Sequence, residues 1–202
     1  KLKILPGTNL EFSYDSGIFG YGSIDISGTK DNIITLDAIS GSWRGIHLYN
    51  HEKNNLKNAK VSNTFPREID YFRTGGISII GGVVDVENFV VENNGFEDAI
   101  NLVDASFSII NLKVSNTTSD AIDIDNGEGI LESSSFFCVG TGIEGGDAID
   151  VSFTNINLVN IDIKKVADKA ISIGENSVDE IKNININNAT SALSVKDESQ
   201  AY

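Results

Sequence analysis

Short segments in which apolar and polar residues alternate recur along the second half of the chain at nearly constant spacing. Five of them (DAINL, DAIDI, DAIDV, KAISI and SALSV) align on their alanines, which are Ala99, Ala121, Ala148, Ala170 and Ala192. Successive alanines lie 22, 27, 22 and 22 residues apart. A period of two is typical of a β-strand with one buried face. The pattern therefore predicts one short strand at the same place in each repeat.

A second strand motif begins with asparagine and follows the first motif at a distance of 12 or 13 residues. Its copies begin at Asn58, Asn88, Asn111, Asn160 and Asn183, the first two following Gly45 and Gly76 in the slot that alanine fills later. Asparagine tolerates left-handed backbone conformations and bonds to the backbone of turns. We expect these asparagines at strand ends, where stacked copies can bond to one another.

A repeat of about 22 residues with two or three short strands cannot bury its apolar face alone. Stacking consecutive repeats in parallel, about 4.8 Å apart, would bury it. We use the word coil for one repeat, and the word file for the line of equivalent positions in successive coils. The spacing predicts an inner file of Ile100, Ile122, Ile149, Ile171 and Leu193.

These two motifs resemble the right-handed parallel β-helix repeats of pectate-lyase-like and polygalacturonase-like enzymes and of many bacterial surface proteins. The opening segments LPGTNLEF, GSIDISGT and NIITL resemble the first coils of large secreted β-helix proteins. The resemblance implies an all-β fold, a right-handed single-stranded parallel β-helix (solenoid) with coils of about 22 residues. It also implies one domain over residues 1–202, cut from a longer secreted or cell-surface chain whose further coils or domains adjoin it.

One insert interrupts the regular spacing. Residues 64–74 (TFPREIDYFRT) lengthen the step from Gly45 to Gly76 to 31 residues. Loops inserted on a rigid solenoid often form its binding surface. The alternative is a loop folded over the flank and anchored by Tyr71 and Phe72. If the loop forms a binding surface, Tyr71 and Phe72 are candidates for ligand binding.

Charge and cysteine content exclude several classes of partner and site. The chain has 15 Lys and Arg against 29 Asp and Glu, a net charge of −14, whereas nucleic-acid and anionic-membrane binding depend on clustered basic residues. No apolar run reaches the roughly 20 residues of a membrane span. A single cysteine, Cys138, excludes an internal disulfide framework. We therefore expect neither nucleic-acid binding nor membrane insertion.

Acidic residues gather in two predicted files. The residues before the alanines form the first file, which contains Asp98, Asp120, Asp147, Lys169 and Ser191. The outward positions one residue beyond the inner file form the second, which contains His47, Ser78, Asn101, Asp123, Asp150, Ser172 and Ser194. Asp125 shares the face of Asp123.

Adjacent coils would place carboxylates about 5 Å apart, where they cannot both ionise without compensation. Three arrangements resolve the conflict. A Ca²⁺ ion could bind several carboxylate oxygens, with ligands drawn from Asp120, Asp123, Asp125, Asp147 and Asp150. One carboxyl could keep its proton and act as an acid, which makes Asp123, Asp150 and Lys169 the catalytic candidates. The third arrangement is a wetted acidic face on which Lys169 neutralises Asp147.

The motifs of the related enzymes are largely missing. His47 and His51 make no Gly-His-Gly, no Arg-Ile-Lys occurs, and Lys169 near two aspartates only weakly resembles a pectate-lyase-like base. We expect surface positions for both histidines. Trp43, beside Arg44, could stack on a sugar ring or lie in the core.

The sequence as a whole favours a non-catalytic β-helix module of a secreted or cell-surface protein, serving as a structural spacer, an adhesin-like module or a glycan-facing surface. Two alternatives remain. One is a polysaccharide lyase or glycoside hydrolase that uses the Asp-rich face, with or without Ca²⁺. The other is a fibre subunit that joins through uncapped solenoid ends.

Overall fold

A computed structural model describes residues 1–66, 74–143 and 145–202 of the chain. The described residues form the strands β1 Leu2–Ile4, β2 Asn9–Phe12, β3 Ile18–Gly20, β4 Ile24–Ser27, β5 Ile34–Ala38, β6 Ile46–Tyr49, β7 Lys53–Thr64, β8 Gly75–Ile80, β9 Val83–Asn94, β10 Asp98–Val103, β11 Ser106–Thr117, β12 Asp120–Asp125, β13 Glu128–Glu132, β14 Ser135–Val139, β15 Ile149–Ser152, β16 Asn155–Gly174, β17 Val178–Val195 and β18 Gln200–Ala201. Within these ranges we find no helix with the length and apolar character that a membrane span requires.

The strands stack as a parallel β-solenoid of about eight turns. Each coil contributes to three faces. The first face contains β3, β6, β8, β10, β12 and β15 with the last parts of β16 and β17. The second contains β1, β4, β13 and β18 with the starts of the long strands. The third contains β2, β5, β14 and the remaining stretches of the long strands. The all-β prediction of stacked coils is thus confirmed.

The register of the first face confirms the predicted alignment of the inner file, although its last member, Leu193, is 44% exposed. Ile100 pairs with Ile122, which pairs with Ile149, and the line continues through Ile171 to Leu193. The four isoleucines of this file are buried. Because their side chains fill the space inside the coils, burial of this file is a main source of the driving force for stacking.

The predicted asparagines lie inside the long strands rather than at strand ends, at corners where the chain passes from one face of the solenoid to the next. The backbone of Asn88 has a φ of 50°, and that of Asn111 has a φ of 56°. Asn111 donates to Asn88 Oδ1 at 2.6 Å, and Asn88 donates to Asn58 Oδ1 at 3.2 Å. These residues therefore turn the chain and also link three coils through their side chains.

The predicted insert begins later than residue 64. Thr64 is the last residue of β7, pairs with Asn94 of the next coil and donates to its Oδ1 atom at 2.8 Å. Its position is therefore structural. Residues 67–73, which include the candidates Tyr71 and Phe72, lie outside the described residues.

Candidate functional site

The file that we call outward has the predicted register and extends one coil further than predicted. Its predicted exposure is wrong for His47, Ser78, Asn101 and Ser172, which are buried. It begins at Phe19, which pairs with His47, and continues through Ser78, Asn101, Asp123, Asp150, Ser172 and Ser194. A neighbouring file runs through Tyr49, Ile80, Val103, Asp125 and Ser152. The first face therefore has an aromatic end, an uncharged polar middle and an acidic part.

Acidic residues before the alanines bond directly to the next coil. Asp120 Oδ1 accepts a hydrogen bond from the backbone nitrogen of Asp147 at 2.7 Å. Asp147 Oδ1 in turn accepts one from the backbone nitrogen of Lys169 at 2.8 Å. The Lys169 ammonium lies 2.8 Å from Asp147 Oδ2 and 2.8 Å from Asp168. The predicted neutralisation of Asp147 by Lys169 is confirmed.

Burial of this part of the face is greater than the sequence suggested. Asp98 is only 2% exposed, Asp147 is also buried, and Asp123 is half-buried. The prediction of a wetted acidic face is therefore wrong for Asp98 and Asp147. Packing within and between coils covers these side chains, which a strand pattern alone does not reveal.

Asp123 is tied to the uncharged middle of the face. Ser78 Oγ donates to Asn101 Oδ1 at 3.1 Å, and Asn101 Nδ2 donates to Asp123 Oδ2 at 3.0 Å. This chain of side-chain hydrogen bonds crosses three successive coils. It fixes the Asn101 amide in one orientation, because its oxygen accepts and its nitrogen donates.

Burial raises the pKa values of these acids. Burial, followed by the nearby carboxylates of Asp98 and Asp125, raises the pKa of Asp123 well above its ordinary range. Burial also raises the pKa of Asp98, whose Oδ2 atom has no hydrogen-bond partner within the described ranges. Burial raises the pKa of Asp120 to about 6. These shifts favour the protonated form of Asp98 and Asp123 at neutral pH.

The pKa of Lys169, unlike that of Asp150, is shifted in a direction that does not suit a base. Burial raises the pKa of Asp150 and that of Asp125. Partial burial lowers the pKa of Lys169, but hydrogen bonds to Asp147 and Asp168 raise it above its ordinary value. Lys169 is therefore a permanent cation at neutral pH.

The five aspartates predicted as Ca²⁺ ligands do not form a ready-made set. Within residues 1–66, 74–143 and 145–202, no group of three or more His, Cys, Asp or Glu side chains is placed to hold a metal ion. Asp120 and Asp147 each use one carboxylate oxygen on a backbone nitrogen of the next coil. The donor arrangement thus does not fit the six to eight converging oxygens that Ca²⁺ prefers.

The aromatic end of the face was missed by the sequence analysis. The Phe19 and His47 rings stack with their centres 5.2 Å apart, and the Tyr21 and Tyr49 rings meet edge to face at 6.3 Å. A pocket of about 250 Å³ lies among Phe19, Tyr21, His47 and Tyr49, with Ser78 and Ile80 also lining it. Its sequence signal is the match between IFGY (18–21) and IHLY (46–49).

The remaining candidates near this end of the face are His47, Trp43 and Arg44, and the structure gives each a different environment. His47 is buried, so the expected surface position is wrong for this residue, and its Nε2 atom bonds to Arg44 O. Trp43 is 1% exposed, stacks on Phe12 at 4.0 Å and donates from Nε1 to Ser62 O. Its ring is a core element and is closed to sugar stacking. The Arg44 guanidinium lies 5.1 Å from the centre of the Phe19 ring.

A buried carboxyl on the second face was also missed. Asp179 occupies the inward position that Ile156 fills one coil earlier, and it is fully buried. Its Oδ1 atom accepts a hydrogen bond from the backbone nitrogen of Ile156 at 3.3 Å. Burial raises its pKa to about 7. Aligning VDEI (178–181) with NINL (155–158) would have exposed this inward acid.

Comparison with protein-family models, curated proteins and solved structures found no match to this chain.

Proposed function

We propose that the chain is a non-catalytic β-solenoid module of a secreted or cell-surface protein, and that its first face meets a glycan. The observation that carries the proposal is the use of Asp120 and Asp147 as acceptors for backbone nitrogens of the next coil. Side chains that hold successive coils together cannot move toward a substrate without breaking those bonds. Asp120 and Asp147 of the first file thus have a structural purpose, and Asp123 and Asp150 of the second file are left as the candidate catalytic carboxyls predicted from the sequence.

The charge states of the candidates also favour binding over catalysis. A carboxylic acid–base pair needs environments that push the two pKa values apart. Burial raises the pKa values of both Asp123 and Asp150. Lys169 is held protonated by Asp147 and Asp168 and has no lone pair to accept a substrate proton. The face therefore lacks the cationic base of a lyase, because Lys169 stays protonated.

The finer assignment of the fold belongs to the same proposal. We propose a right-handed coil and the β-helix architecture of the pectate-lyase-like superfamily. Support comes from the two phase-locked strand motifs of each repeat and from the strong preference of parallel strand connections for right-handed crossovers.

The test is a glycan panel analysed for both binding and cleavage. Binding is measured on immobilised polysaccharides of neutral, amino and uronic sugars, and cleavage is followed by reducing ends and by absorbance of unsaturated products. We expect retention on at least one glycan with no products, with or without Ca²⁺ and with EDTA. A protein that binds none of the panel, or that cleaves a glycan, contradicts the proposal.

A second candidate function has one observation in its favour. Because burial raises the pKa values of Asp98 and Asp123, either carboxyl could donate a proton to a glycosidic oxygen, as a lyase or hydrolase requires. Turnover that disappears in both Asp123→Asn and Asp150→Asn, while the melting temperature stays near that of the wild type, would establish this function in place of the first.

A further inference from the structure

Three exposed aromatic rings stand together on the first coils. Tyr21 is 87% exposed, Tyr49 is 53% exposed and Phe19 is 42% exposed. Scattered single apolar residues are common on protein surfaces, but a group of rings around one pocket marks an interaction site. These rings come from the paired strands β3 and β6 and from the residue that follows β3.

The rings are held by their surroundings before any ligand arrives. Phe19 stacks on the buried His47 and has the Arg44 guanidinium 5.1 Å from its centre. Tyr49 contacts Tyr21 on one side and His51 at 6.2 Å on another. Because ordering of side chains opposes binding, rings already in place lower that cost.

The chemistry of the pocket matches a sugar ring. A pyranose has a face of C–H groups, which packs on an aromatic ring, and a rim of hydroxyl groups, which need hydrogen-bond partners. Tyrosine offers a ring and a hydroxyl in one side chain. Sites for drug-sized ligands measure about 300–1,000 Å³, so a pocket of about 250 Å³ has room for one sugar ring.

The rest of the face selects against anionic sugars. Three ladder steps, about 14 Å, separate His47 from Asp123 along the outward file. Asp98 and Asp123 already fail to ionise fully there because of burial and nearby carboxylates. His47, Ser78 and Asn101 are buried, so the subsite is confined to the aromatic end. The net charge of −14 disfavours the approach of a uronate chain to that end.

We infer that Phe19, Tyr21 and Tyr49 form a sugar-stacking subsite, at the aromatic end of the first face, for a glycan without carboxylate groups. This inference rests on the proposed function and adds to it the position of the subsite and the charge class of the ligand.

The test is isothermal titration of the chain with hexasaccharides of three sugars: glucose, glucosamine and galacturonate. The glucose hexasaccharides include both an α-linked and a β-linked form. The variants are Tyr21→Ala, Tyr49→Ala and their combination, with Tyr49→Phe retaining the ring. Phe137→Ala is the matched control, because Phe137 is also 42% exposed, has Lys165 at 5.0 Å and lies on another face. Circular dichroism melting monitors the fold of each variant.

We expect the wild type to bind glucose or glucosamine oligomers and to bind galacturonate at least tenfold more weakly. The double variant should lose at least tenfold in affinity, and Tyr49→Phe, which loses only the hydroxyl, should lose less than Tyr49→Ala. Phe137→Ala should bind within about twofold of the wild type. If the double variant binds as the wild type does, or if galacturonate binds most tightly, the inference is wrong while the proposed function stands. If the wild type binds no glycan at all, both are wrong.

Discussion

The Oδ1 atom of Asp120 lies 2.7 Å from the backbone nitrogen of Asp147, one coil further along the chain. The same contact recurs between Asp147 and Lys169, where the separation is 2.8 Å. At this point of the coil, a carboxylate oxygen accepts from a backbone nitrogen of the next coil. This contact accounts for the aspartates before Ala121 and Ala148 without a catalytic role, whereas the equivalent nitrogen after Asp98 bonds to Glu97 O instead.

Replacing Asp120 should destabilise the solenoid only when the new side chain has no oxygen that can accept a hydrogen bond. Asp120→Ala leaves the buried Asp147 nitrogen without its partner, a loss of about 1–3 kcal/mol, which corresponds to a fall in melting temperature of roughly 2–10 °C for a domain of this size. Asp120→Asn keeps an acceptor and should melt close to the wild type. The exposed Asp31 provides a surface control. Equal melting of the Ala and Asn variants would show that the contact contributes nothing.

Stability should fall as pH rises above neutral. Burial raises the folded-state pKa values of Asp98 and Asp123 to about 8 and about 9, so the folded chain binds more protons than the unfolded chain between pH 4 and 9. This contribution to stability is full below the ordinary carboxyl range and is lost as pH rises through the folded-state values. Melting at pH 9 should occur at least about 3 °C below melting at pH 5.5.

Asp123→Asn is the variant that isolates this effect. Its amide keeps an oxygen that can accept from Asn101 and cannot ionise, so the decline of melting temperature with pH should become smaller. A melting temperature that increases from pH 5.5 to pH 9, or an unchanged slope in the variant, would refute the raised pKa values of Asp98 and Asp123.

The asparagine corners should respond to backbone and side-chain changes separately. Asn88 has a φ of 50° and bonds to Asn58 and Asn111. Asn88→Gly removes both side-chain bonds but accepts the left-handed backbone, whereas Asn88→Ala also carries a strain of about 1–2 kcal/mol. Chemical denaturation should therefore rank the wild type above the Gly variant and the Gly variant above the Ala variant. An Ala variant as stable as the Gly variant would argue against backbone strain at this corner.

Replacing Trp43 should lower the stability of the fold and leave the affinity for a glycan unchanged. Its buried ring stacks on Phe12 and donates to Ser62 O, so Trp43→Ala should cost about 3–5 kcal/mol. Trp43→Phe keeps most of the apolar contact and should cost less. Titration of the folded Trp43→Phe variant checks the second point, since a large drop in its glycan affinity would place Trp43 in the binding site.

The sequence predicted those parts of the fold in which the same residue types recur at a nearly constant spacing. The alanine alignment predicted the Ile100–Leu193 file and the contact of Lys169 with Asp147, because each repeat there has nearly the same length. The first coils were harder, since steps of 28 and 31 residues separate Ile18, Ile46 and Ile77. Phe19 and Tyr21 were missed for this reason.

Burial of polar groups was the second feature that strand patterns did not reveal. An alternating pattern assigns Asp98 to a file but does not show that packing leaves it 2% exposed. Asp179 stands where the preceding coil has an inward apolar residue. Alternation of polar and apolar residues within its own strand does not show this, because an acid in such a pattern is normally assigned to the surface. Both pKa shifts arise from contacts between coils, which depend on the complete stack.

The most direct test of the account is the length of a bound glycan before and after prolonged contact with the protein. An oligosaccharide that the wild type retains is incubated with the protein for many times the lifetime of the complex. Mass spectrometry should then show the original chain length and no unsaturated or shortened product. Recovery of shorter chains that depends on Asp123 would contradict the account and identify the first face as the active site of an enzyme.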